Sequence, residues 1–262
     1  MAHFYVLDEL VSTSVGERVT LLGNEGRHAA TVSRVRVGEI LRIGNGRGLM
    51  LVATVVTVEK DSVTLEVTAM EVFPPPLPRI VLVQALAKND RDERAIEACT
   101  ELGIDAVIPW AAERSISKWE GVKVAKQRSR WAAIVREATK QSIRPFVPEI
   151  LDYQKAASVA KALSAAHIFV LDPTGDVSLS DVSLGSVALS EGASTQASEH
   201  DMTANPASFA LVVGPEGGIT PSELAMVRSH GAVIVTVGAN ILRTSTAGPA
   251  ALSILSSRLG RL

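Results

Sequence analysis

Cysteine is nearly absent from this 262-residue chain: Cys99 stands alone. One thiol excludes an intrachain disulfide and any metal centre built on clustered cysteines. The five histidines, His3, His28, His167, His200 and His230, show no metal-ligand spacing, so no metal is expected. Aromatic residues are scarce too, and Trp110, Trp119 and Trp131 are too scattered for a base-stacking platform. No run approaches the roughly 20 apolar residues that cross a bilayer. The opening MAHFYVLDEL lacks the basic start and apolar core of a secretion signal. These absences point to a cytoplasmic protein without a membrane partner. Neither phosphate-loop fingerprint, G-x-x-x-x-G-K-[ST] or G-x-G-x-x-G, occurs.

The formal net charge is −2, which by itself gives no sign of a polyanion binder, but the charge is unevenly spread. Nine Lys/Arg lie between Arg114 and Arg144 against Glu120 and Glu137, and five arginines lie between Arg27 and Arg47 against Glu39. After Arg144 the balance reverses, six bases against ten acids. Two basic islands on a mildly acidic chain suit a phosphate backbone, and charge alone fits solvated helix faces equally well.

Residues 1–73 alternate β-branched and polar residues, with turns at Asn45-Gly46 and Lys60-Asp61 and a helical interlude near EGRHAATVSRV. This predicts a small β-barrel domain with one short helix. PPPLP at 74–78 reads as a stiff linker. From residue 79 to 262, short apolar runs (IVLVQAL, DAVIPW, HIFVLDP, SFALVV, AVIVTVG) alternate with helical spacings (DRDERAIEACTELG, VKVAKQRSRWAAIVREATKQS). That texture predicts an α/β domain with a mostly parallel sheet. The Ser/Ala/Thr/Gly-rich segment 185–207 has no periodicity and reads as a mobile insertion.

Two strand–loop–helix units carry the chemistry. In FALVVGPEGGITPSEL, Thr220, Pro221 and Glu223 form a capping box with proline at the first helical position. Gly214, Pro215, Glu216, Gly217 and Gly218 therefore sit at a strand's C-terminal end, where open α/β sheets bind ligands. Glu216 would repel a phosphate, so a neutral or cationic ligand held by main-chain groups is expected. VIVTVGANILRTSTAGPAALSIL repeats the arrangement, with Gly238 and Arg243 in the loop.

Together, LVVGPEGGITPSEL and VGANILRTSTAGPAAL resemble the C-terminal signature of SPOUT-class RNA methyltransferases, and more narrowly the small-subunit ribosomal RNA uridine-N3 methyltransferase family. ERAIEACTELGIDAVIPWAAERSI, REATKQSIRPFVPEI and GRHAATVSRVRVGEILRIGNG extend the resemblance over nearly the whole chain. It implies a PUA-like RNA-binding β-barrel followed by a trefoil-knotted α/β domain, a homodimer, S-adenosylmethionine as methyl donor, and a uridine of 16S ribosomal RNA in the small subunit as target. Leu171, Gly214–Gly218, Val237, Gly238, Ile241, Leu242, Arg243 and Thr246 would then enclose the donor. Arg243 would stabilise charge on the reacting base, and Arg27, Arg34, Arg114, Arg136, Glu137, Lys140, Gln141 and Arg144 would face RNA. Two positions depart from the family pattern: Ser245 stands where an acid is commoner, and Asn240 where an arginine often stands. An enzyme of the same class with another RNA target, such as a ribose 2′-hydroxyl, and a non-catalytic RNA-binding assembly factor are the competing readings.

Overall fold

The structure, a computed structural model, describes residues 4–163, 167–184 and 208–262. The insertion expected over 185–207 lies outside them. The chain divides into two compact units, one made of residues up to Pro75 with Thr139–Val147, the other of Pro76–Ala138 with Pro148–Leu262.

In the first unit, β1 (Phe4–Val6), β2 (Arg18–Leu21), β3 (Ile40–Gly44), β4 (Leu49–Val58) and β5 (Val63–Val72) form one sheet in the order β1-β3-β4-β5-β2. Only β1 and β3 pair in parallel. Alternation along β4 sends Leu49, Leu51, Ala53 and Val55 into the core. The β3–β4 turn follows from its sequence: Asn45 Oδ1 accepts from Arg47 N at 2.8 Å and Leu49 N at 3.1 Å, while Gly46 takes φ +69°. Helix α1 (Gly23–Arg27) and a π-helical turn, His28–Val32, fill the β2–β3 connection, the helical interlude expected there. Thr139–Val147 joins this unit through Gly48 N donating to Pro145 O and Val147 N donating to Gly46 O.

The second unit runs β6 (Ile80–Ala85), α2 (Arg91–Glu101), β7 (Ala106–Ala111), α3 (Val122–Ser142, whose last residues belong to the first unit), β8 (Glu149–Ile150), β9 (Gln154–Lys155), α4 (Ala156–Ala162), β10 (His167–Leu171), β11 (Val177–Ser178), β12 (Phe209–Val213), α5 (Pro221–Ser229), β13 (Val233–Thr236) and α6 (Thr244–Arg258). Its sheet has the order β11-β13-β10-β12-β6-β7-β8, with β9 also on β7, and every pair among the described residues is parallel.

Strands buried on both faces explain the continuous apolar runs. Val81, Val83 and Ala85 of β6 face the cluster holding Val159, Leu163, Leu224 and Val227 of the α4 and α5 regions. Leu82 faces α2 and α6. A Cβ at Gly248 of α6 would lie 3.2 Å from Leu82 Cδ1 and 3.4 Å from Cys99 Sγ, a tight fit that would push on both side chains. Cys99 is buried core, and desolvation holds its thiol well above its ordinary pKa, which leaves it inert. Trp119 packs edge-on to Trp131 at 4.9 Å and stacks on Tyr153, with both tryptophans buried. Among the described residues no helix is long and apolar enough to cross a membrane, and no group of His, Cys, Asp and Glu could hold a metal.

β10 lies between β12 and β13, so the chain crosses β10 in passing from β12 to β13. The C-terminal ends of β6, β12, β10 and β13 thereby stand side by side.

Candidate functional site

The loops leaving these strand ends line a cleft of about 590 Å³, the size of a nucleoside-scale ligand site. Its walls come from the β12–α5 loop, the β13–α6 loop and the residues after β10.

The β12–α5 loop is held from several directions. Trp110 Nε1 donates to Val213 O at 3.1 Å and fixes its entry. Gly218 N donates to Pro215 O at 2.9 Å, closing a turn that Gly218 completes at φ +73°. Thr220 then caps α5: its hydroxyl accepts from Glu223 N, and Glu223 Oε2 accepts from Thr220 N at 2.9 Å. The other Glu223 oxygen accepts from Glu113 N at 2.8 Å, tying the loop to the segment after β7. Arg114 Nη1 donates to Gly217 O at 3.0 Å. A Cβ at Gly217 would sit 3.0 Å from Arg114 Cβ, so any larger residue would press on this approach.

Two further ties reach β6 and α2. Thr244, the first residue of α6, donates its hydroxyl to Gly214 O at 2.8 Å and accepts from the buried Gln84 Nε2 at 3.0 Å. One hydroxyl thus joins β6, the β12–α5 loop and α6. Glu216 Oε1 accepts from Lys88 N at 3.0 Å and from Arg91 Nη1 at 3.1 Å. The cleft's charged lining is Arg91, Asp172, Glu216 and Arg243, with no lysine. Asp172 Oδ1 is engaged in a local turn, accepting from Thr174 N at 2.9 Å and Thr174 Oγ1 at 2.6 Å.

Residues 74–256 match the RNA methyltransferase domain family, and residues 21–68 match the RNA methyltransferase PUA domain. Ribosomal RNA small subunit methyltransferase E of Mycobacterium bovis is 35% identical, over 98% of this chain and 94% of its own length. The chain belongs to this family. The Bacillus subtilis member is 29% identical over 95% of this chain and 94% of its own length. A crystal structure of the Neisseria gonorrhoeae member, bound to S-adenosyl methionine, superimposes with a TM-score of 0.81 at 28% identity, each chain covered to 98%. The expected fold class, a PUA-like domain before an α/β methyltransferase domain with a parallel sheet, is borne out.

Of the residues expected around the donor, Leu171, Gly214, Pro215, Glu216, Gly218, Val237, Gly238, Ile241, Leu242 and Arg243 line the cleft. Gly217 and Thr246 do not. Gly217 packs on Arg114, and Thr246 is exposed in the first turn of α6, its N–H bonded to Arg243 O. Arg91 and Thr244 line the cleft without having been singled out from the sequence. A signal for each existed: Arg91 opens the helix after a third buried strand, and Gln84, the partner of Thr244, is the lone polar residue of IVLVQAL.

The residues expected to face RNA fare unevenly. Lys140 is 8% exposed, and its ammonium lies 3.2 Å from Glu25 Oε1 inside the first unit. That is a correction, because a buried, paired lysine presents no charge to a phosphate. Arg114 lies in the turn after β7, bonded to the glycine loop. Glu137 and Gln141 of α3 are exposed, and Arg136 and Arg144 are half-buried. In the first unit Arg27 is exposed and pairs with Asp61 at 3.3 Å, while Arg34 is exposed at φ +53°.

Proposed function

We propose that this enzyme transfers the methyl group of S-adenosylmethionine to N3 of a uridine in 16S ribosomal RNA, as a cytoplasmic homodimer acting on the small ribosomal subunit. The observation that carries the reading is the cleft itself. It is walled by the two glycine-containing loops and holds no lysine for a phosphate, in a chain whose N. gonorrhoeae relative binds S-adenosyl methionine in the same fold. When bound, S-adenosylmethionine supplies an electrophilic methyl group on a positive sulfur. Gly214, Gly218 and Gly238 line the cleft, and Asp172 and Glu216 balance Arg91 and Arg243, so its charged lining carries no net positive charge to repel the sulfonium.

Uracil N3 bears an imide proton and becomes nucleophilic as that proton leaves. The charge then spreads to the flanking carbonyl oxygens. Arg243, the N-cap of α6 and part of the cleft lining, would meet it with guanidinium N–H donors. N3 is also engaged in a Watson–Crick pair, so the base must be unpaired or flipped when it enters. Arg27 and Arg34 of the PUA-like domain, Arg114, and Arg136, Glu137, Gln141 and Arg144 around the end of α3 form the proposed RNA-facing set.

The test is methyl-labelled S-adenosylmethionine with unmodified small subunits, and with naked 16S RNA in parallel, followed by nucleoside digestion and mass spectrometry. Labelled 3-methyluridine is expected, and label in another nucleoside would reassign the target. Arg243→Ala should lower the rate about 10²-fold or more with the fold intact. An unchanged rate would remove Arg243 from the mechanism.

A further inference from the structure

The cleft contains a second arginine, and its placement is specific. Arg91 is the first residue of α2 and lines the cleft together with Arg243. The two residues before it, Asn89 and Asp90, both take left-handed backbone, at φ +54° and +56°. Two such residues in succession turn the chain sharply out of β6, and the turn is fastened from the glycine loop. Glu216 Oε1 holds both Lys88 N and Arg91 Nη1. Among the described residues only one guanidinium nitrogen is thereby committed, and the rest of the Arg91 donor fork has no partner. Its side chain is 32% exposed, against 23% for Glu216. A surface ion pair of this kind contributes little to stability, so stability alone does not account for fixing an arginine at the cleft.

The chemistry of an N3 methylation has room for such a cation. On losing its proton, a uracil N3 places negative charge on two carbonyl oxygens, one on either side of the nitrogen. One arginine answers one oxygen. We propose that Arg91 is a second catalytic residue, donating to one uracil carbonyl oxygen while Arg243 serves the other, and that Glu216 is the positioning residue that aims it. The inference rests on the uridine-N3 reading above. In the step itself the N3–H bond breaks and its proton passes to solvent water. The N3 lone pair then forms the N–CH3 bond as the S–CH3 bond breaks, and that electron pair stays on sulfur, leaving a neutral thioether. Neither arginine gains or loses a proton. Each lowers the cost of the anionic base in a site where a fixed donor need not reorganise.

The experiment begins with the wild-type nucleoside product, so that failure of the N3 reading is seen separately from failure of this one. Arg91→Ala, Arg91→Lys and Glu216→Gln are then compared in single turnover at saturating donor and RNA, with donor affinity measured by calorimetry. Arg91→Ala should slow methyl transfer about 10²-fold and leave donor affinity within about threefold, with partial rescue by Lys. RNA carrying 5-fluorouridine at the target, whose N3 proton is more acidic, should shrink the Ala defect. The ¹⁹F resonance of that base, bound with S-adenosylhomocysteine, should show less of the ionised form in the variant at equal pH. Glu216→Gln should show the same pattern more weakly. A structural role predicts equal defects on uridine and 5-fluorouridine RNA. That outcome overturns the proposal. So does an unchanged single-turnover rate, or a loss confined to donor or RNA affinity.

Discussion

The two loops that wall the cleft are built in opposite ways. The β12–α5 loop, Gly214–Thr220, is braced from three directions by Thr244, Arg114 and the Glu216 contacts to Lys88 and Arg91, and it ends in a complete capping box. Residues 237–242 of the β13–α6 loop make no hydrogen bond among the described residues, and Gly238 through Ile241 are exposed, Ile241 to 81%. An exposed isoleucine in a loop without bonds is apolar surface that a ligand or a partner subunit can cover. One wall is braced by the fold, and the other has no such brace among the described residues. Preorganisation removes ordering cost from binding, whereas a segment with few contacts opens at low free energy.

The largest expected effect comes from unfastening the braced wall. Thr244→Val keeps the shape of the side chain and removes a hydroxyl that both donates and accepts. The Gly214 carbonyl and one N–H of the buried Gln84 would lose their partner, at a cost of about 2 kcal/mol. Among the described residues the buried Gln84 Oε1 has no partner either. Melting temperature should fall, donor affinity should weaken about tenfold or more, and Thr244→Ser should restore both. A Val variant with wild-type melting and affinity would show that this hydroxyl is not what orders the wall.

A smaller effect, confined to one loop, should mark the other wall. By hydrogen exchange, amides of 237–242 should exchange fast in the free protein, while those of Gly218 and Thr220, bonded to Pro215 O and Glu223 Oε2, are protected. With S-adenosylmethionine at about 100 times its Kd, exchange at 237–242 should slow by up to about 100-fold. Equal protection of the two loops in the free protein would abolish the contrast.

How legible these features were depends on how local their causes are. Thr220, Pro221 and Glu223 announce α5 because a capping box lies within four residues. The span of α3 follows from an uninterrupted helical spacing, and β4 and β5 from their alternation and turns. The two-residue strands β8, β9 and β11 are too short to show a period, and α4, at seven residues, shows little more than two turns. The site's braces are hidden for another reason. Gln84 and Thr244 are 160 residues apart, and Glu216 and Arg91 are 125 apart. Lys140 is the plainest case: its neighbours read as an exposed basic helix, yet its ammonium is buried beside Glu25, 115 residues earlier.

The smallest effect tests how far the brace extends behind Glu216. Asp92, in the first turn of α2, is buried and accepts from Ala87 N at 3.1 Å and Glu93 N at 2.9 Å. Ala87 precedes Lys88, whose N–H holds Glu216, so this carboxyl supports the turn that carries the braced wall. Burial raises its pKa, outweighing the two backbone donors that pull the other way. The folded protein therefore holds this proton more tightly than the unfolded chain does. As pH rises from about 4, the unfolded chain releases its proton first and stability falls. The loss is complete once pH exceeds the folded value. Asp92→Asn removes the titration and can still accept one backbone bond. The melting temperature of the variant relative to wild type should therefore climb across the acidic range and level off by neutral pH. A flat difference would mean that burial does not shift Asp92, and one that declines with pH would mean that Asp92 is held as a stabilised anion. In the second case the turn behind Glu216 would be fastened by charge rather than by neutral hydrogen bonds.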